Sequence, residues 1–220
     1  MSLQSGVTSS RRVLDPVERS SEVFFGLIMV LSFTGSISAA TGGREEIRTI
    51  LFGAIGCNLA WGLVDAVMYV LQSVIERGRG LTILRAVRGS RDTAAAHGLI
   101  ADALPPVVAS LLDTPDYERL RGKLNILPEP KGVGMKSADL AGALGVFLLV
   151  FLSTFPVILP FLLIREPGVA LRASNGVAIA MLFASGHQLG KYSGLRPVLS
   201  GLSAAAIGIV LVLITIALGG

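Results

Sequence analysis

Residues 49–75 read TILFGAIGCNLAWGLVDAVMYVLQSVI, a run whose single charge is Asp65. About 20 apolar residues suffice to cross the hydrocarbon of a bilayer, so this stretch predicts a transmembrane helix. Four more nearly charge-free stretches, 23–40, 140–164, 173–190 and 197–218, share its character, and the five together make up half of the 220 residues. Across the chain 52% of residues are hydrophobic and 15% charged, with a mean hydropathy of +0.70. A soluble domain carries about 25% charged residues. The expected fold is all-α: a polytopic membrane protein with five transmembrane helices and a short helical cytoplasmic insert between the second and third. Soluble enzymes, disulfide scaffolds and disordered tails are excluded.

The expected layout is a cytoplasmic tail over 1–21, the first two spans within 22–75, the insert over 76–138 and the last three spans within 139–220. The polar start of the chain, with Arg11, Arg12 and Arg19 beside Asp15 and Glu18, does not read as a signal peptide. With the N-terminus inside, only Arg44, Arg48, Arg165 and Arg172 of the 19 Lys and Arg fall outside. That bias predicts a cytoplasmic N-terminus and an outward C-terminus. In the insert, Asp92 or Thr93 should cap a helix through 94–104, and Pro105-Pro106 should interrupt it before 107–112. Thr114-Pro115-Asp116 reads as the N-cap and first turn of a further helix ending near Leu127. Segments 77–80 and 128–134 are expected as flexible joints. The outer connections are short, a tight turn with Gly42-Gly43 over 41–48 and a loop carrying Pro167-Gly168 over 165–172, so neither can hold an extracellular domain.

Asp65 lies three residues from the midpoint of 49–75, about 4.5 Å along a helix. A carboxylate at that depth costs roughly 2.5–3.5 kcal/mol on insertion scales, so it must face protein or water. Helical spacing places Asn58, Gly62, Asp65, Met68 or Tyr69, and Gln72 on one face. Glu22 opens the first span, where a carboxylate is favoured by the helix dipole, and Met29 shares its face. Glu22, Asn58, Asp65, Met29 and Met68 are thus the candidate ion pathway, with Glu22 and Asp65 as metal ligands or proton carriers. Carboxylates and amide oxygens suit hard divalent cations, and thioethers bias a site toward transition metals. Cys57 reads as a packing residue, His97 as a surface residue of the insert, and His187, beside Gln188 and Lys191, as structural. No nucleophile-base arrangement, phosphate loop or dinucleotide fingerprint occurs, so an enzyme is not expected. Pro156 and Pro160 should break the third span. Gly201, Ala204, Ala205 and Gly208 give the fifth span the small-residue spacing of a close helix contact, as do Gly35, Ser38, Gly142 and Gly145 elsewhere.

These features resemble the vacuolar iron transporter family. The likeness rests on Ser21-Glu22 at the first span, Gly56-Cys57-Asn58-Leu59-Ala60 in the second, Phe155-Pro156-Val157-Ile158-Leu159-Pro160-Phe161 in the third, and the glycine-rich fifth span, over residues 18 to 218. The resemblance implies a homodimer whose first two spans line an ion path and export ferrous or manganous ion in exchange for protons. Glu22 stands where the family has aspartate, and Asp65-Ala66 falls on its Ser-Met pair. The insert carries Glu76, Glu118 and Glu129 against ten Lys and Arg, where the family's is rich in glutamate.

The expected function is therefore proton-coupled export of iron or manganese as substrate, with no permanently bound cofactor. Expected partners are a second copy of the chain, membrane lipid, protons and divalent metal, and no nucleic acid. The alternative is a non-transporting membrane protein whose basic insert binds anionic lipid or a protein partner.

Overall fold

The computed structural model describes residues 16–41, 47–129 and 132–218. Every regular element among them is an α-helix: α1 (Pro16–Thr41), α2 (Ile47–Gly89), α3 (Thr93–Asp102), α4 (Pro106–Ala109), α5 (Thr114–Ile126), α6 (Ser137–Ser153), α7 (Phe155–Leu163), α8 (Pro167–Tyr192) and α9 (Pro197–Ala217). Five segments are long and apolar enough to cross a membrane, namely Val17–Ser38, Ile47–Gly89, Ser137–Leu163, Pro167–Tyr192 and Pro197–Ala217. The all-α polytopic fold follows. Large side chains such as Leu63, Leu162, Leu199 and Leu213 stand exposed at 59–65%. Water would penalise such a surface, and lipid does not.

The chain forms two compact units, one from residues up to Tyr69 together with Leu140 onward, the other Val70–Asp139. In the first, Leu27, Val30 and Leu31 of α1 pack with Ala54 of α2, Val157 of α7, and Ala178 and Leu182 of α8. A second cluster joins Ile50, Phe161 and Ala170. The small residues of the fifth span meet α8 of the same chain. A Cβ on Gly186 would lie 2.5 Å from the Ala204 Cβ and 2.7 Å from the Ser200 carbonyl oxygen, and one on Gly201 would strike the Phe183 ring at 2.9 Å. Gly35 fits against Thr215 and Gly142 against the Tyr69 ring, whereas Gly145 is exposed.

The third span breaks as its prolines require. α6 stops at Ser153, Thr154 is the N-cap of α7, and Pro156 occupies the first turn, where a missing N–H costs nothing. Pro160 lies inside α7. Carbonyls around this break find side-chain donors: Ser174 Oγ donates to Val157 O at 2.7 Å, and Asn58 Nδ2 to Phe151 O at 2.9 Å.

Several local expectations change. Residues 77–80 are helical within α2 and form no joint, although Gly78 and Gly80 each cost such a helix about 1 kcal/mol. Arg77 supplies a compensating tie, a two-pronged pair with Asp139 at 2.6 and 2.9 Å that also reaches Gly134 O at 3.2 Å. Pro167 and Gly168 begin α8 and are not loop, and the Glu166 carboxylate caps that helix by accepting from Val169 N at 2.8 Å. Asp113, one residue before the expected Thr114, is the N-cap of α5, in a reciprocal capping box with Asp116. Asp92 caps α3 as expected. Segment 128–134 is without helix where described, with 130 and 131 outside the described residues, as are the expected turn at Gly42-Gly43 and the tail before Pro16.

Candidate functional site

Within the first unit, the second turn of α1 and the middle of α2 bring two acids together. The Glu22 and Asp65 carboxyl groups lie within hydrogen-bonding reach of each other, and Glu18, one turn earlier on α1, is near enough for its charge to act on Glu22. α1 is already helical at Pro16, so Glu22 lies beyond the first turn, where the dipole field of a helix end has faded. Glu22 is therefore not a capping charge; its neighbour is another carboxylate.

The polar stripe of α2 faces protein. Asn58 is 2% exposed and donates through Nδ2 to the Phe151 carbonyl and to the Thr154 hydroxyl, which itself donates to Phe151 O at 3.0 Å. Gly62 lets α2 approach Phe147, and Tyr69 lies over Gly142. Asp65 lies on the same face between these contacts, half-buried. Three polar atoms along it, Asn58 Oδ1, Trp61 Nε1 and Asp65 Oδ2, are buried without a hydrogen-bond partner among the described residues. Asn58 and Asp65 are two turns apart, about 10 Å along the axis. Buried polar atoms are almost always paired with protein, water or ion.

The remaining candidates divide. Met29 is half-buried on α1, two turns beyond Glu22. Met68 is 47% exposed and stands off the stripe; Tyr69 occupies the place the spacing left open between them. No group of three or more His, Cys, Asp or Glu able to hold a metal occurs among the described residues. Cys57 is a free, half-buried thiol.

His187 stacks on Phe183, with Nδ1 buried and unpartnered among the described residues. His97 is not a surface residue: its side chain is 14% exposed, bonded to Glu118 at 3.0 Å and stacked on Tyr117.

Sequence spacing missed Thr154, Trp61 and the Arg77–Asp139 pair. Thr154 was visible as a hydroxyl two residues before Pro156 in an otherwise apolar run. Arg77 and Asp139 were visible as opposite charges flanking the second and third spans. Many arginines of the insert are engaged within it: Arg85 and Arg88 on Glu129, Arg88 also on the Leu124 and Leu127 carbonyls, Arg119 on Asp116, and Arg121 on Glu118 and Thr93. No family model matches the chain, and no curated protein matches it either.

Proposed function

We propose that the chain is a membrane transporter that moves a divalent metal ion, iron or manganese, out of the cytoplasm in exchange for protons. The observation that carries this reading is the contact of Glu22 with Asp65 between two membrane-spanning helices. Two carboxyl groups in contact can share a proton or jointly hold a cation, and the two guests exclude each other because they use the same oxygens. That mutual exclusion is the minimum chemistry of proton-coupled exchange. The unpartnered oxygens of Asn58 and Asp65 offer further ligands along the same strip.

The broken third span supports the reading as well. Discontinuous helices recur at transporter binding sites, and here the break lies against Asn58. The likeness of 56–60 and 155–161 to vacuolar iron transporters points the same way, as does the charge bias that places the N-terminus in the cytoplasm and the C-terminus outside. We take the working unit to be a homodimer, in which a second copy completes a coordination shell that two carboxylates leave open. The anionic-lipid or partner reading of the insert is weakened by its internally engaged arginines.

The test is transport of Fe²⁺ or Mn²⁺ into proteoliposomes with internal pH recorded together. Wild-type protein should couple metal movement to proton movement, and Asp65→Asn and Glu22→Gln should each abolish the coupled flux while the protein still inserts. Undiminished flux in Asp65→Asn would refute the role of the pair. Absence of any metal-dependent flux in the wild type would refute transport.

A further inference from the structure

A groove of about 490 Å³ runs along α8 and α9 beside α1, lined by Phe24, Leu195, Leu199 and Ile207, with Arg196 at one end. It uses neither acid of the carboxyl pair. Arg196 is the N-cap of α9, in the turn that joins the last two spans, so its guanidinium sits at the level of a membrane surface. From Arg196 to Ile207 the helix rises about 16 Å, close to the depth of one leaflet of a hydrocarbon core about 30 Å thick. The groove thus has a cation at headgroup level and an apolar bed one leaflet long.

The charge at its mouth has no side-chain partner among the described residues. No Asp or Glu follows Glu166, and Arg196 is exposed. The first turn of α9 adds the positive end of a helix dipole on the same side. A docking helix, about 10 Å across, is too wide for a channel of this volume and length. The matching shape is a slim apolar chain ending in an anion.

We infer that this groove binds an anionic phospholipid, one acyl chain along α9 and the phosphate on Arg196. The test uses full-length protein purified in mild detergent and offered equal amounts of phosphatidylglycerol and phosphatidylcholine, with retained lipid counted by native mass spectrometry. The wild type should retain the anionic lipid in roughly fivefold excess, the factor that one cation near an anionic headgroup supplies. Arg196→Gln should bring the two lipids to parity, and Ser203→Phe, at a serine that also lines the groove and whose new ring would fill it, should expel both. Arg196→Gln changes an exposed side chain and decides the matter by itself should Ser203→Phe fail to fold. Equal retention by the wild type overturns the inference, as does an unchanged excess in Arg196→Gln. Displacement of the lipid by inorganic phosphate alone would also overturn it, because free anion would then be the ligand. So would a lipid-free dimer that Ser203→Phe converts to monomer, because a second copy would then cover the groove.

Discussion

Replacing Gly186 by alanine tests the α8–α9 contact of the first unit. The added Cβ would lie 2.5 Å from the Ala204 Cβ and 2.7 Å from the Ser200 carbonyl oxygen. Carbon atoms in contact sit about 3.5–4.0 Å apart, so the helices must separate locally by about 1 Å or α9 must rotate. One obstacle is backbone and the other a Cβ, so neither can swing aside as a long side chain does. Overpacking of this kind costs about 1–3 kcal/mol. In a chain of 150–250 residues each kcal/mol moves Tm by about 2–4 °C, which puts the expected fall at roughly 2–12 °C. The assay is thermal unfolding in detergent followed by circular dichroism. Gly176→Ala on the same helix is the control, because nothing lies within 4 Å of its added Cβ. Exchanging glycine for alanine there should leave Tm unchanged or raise it. A Gly186→Ala protein as stable as the Gly176→Ala control would refute the close packing.

Thr154→Val keeps the side-chain shape but removes the hydroxyl that accepts from Asn58. It should lower Tm by a few degrees in the same assay, in line with about 0.6–1.7 kcal/mol for hydrogen bonds between membrane helices. Asp113→Ala removes the capping box of α5. It should cost about 1 kcal/mol and speed amide exchange in the first turn of that helix, while α3 exchanges as before. Glu129 is held below the ordinary carboxylate range by its hydrogen bond to Arg85, with the charges of Arg85 and Arg88 adding to it. A lowered value means the unfolded chain binds the proton more readily, so the pairing stabilises above the ordinary glutamate range and is lost as pH falls through the folded value. Proteolysis of 127–129 should therefore quicken as pH drops below about 4.5, and in Glu129→Gln the rate should already be high at neutral pH.

The chain's membrane character, the number of its spans and the proline break were legible from residue order alone, because each depends on local composition. An apolar run of about 20 residues has few alternatives to a spanning helix, and Pro156 removes the same N–H in any context. The caps of the two insert helices α3 and α5 were legible to within a residue, since Asp92 and Asp113 act on N–H groups two or three positions away. The helical course of 77–80 was not legible, because two glycines argued locally for a joint and the opposing tie comes from Asp139, 62 positions after Arg77.

The same division runs through the site. Residue order marked Asp65 as costly and placed Asn58 and Gly62 on its face, because helical periodicity is a local property. The tertiary structure alone decided that Glu22 meets Asp65, that Tyr69 and not Met68 completes the stripe, and that Asn58 holds the broken span. Those contacts join residues about 40 to 100 positions apart, and helix rotation and axial offset select them, which no window of neighbouring residues encodes.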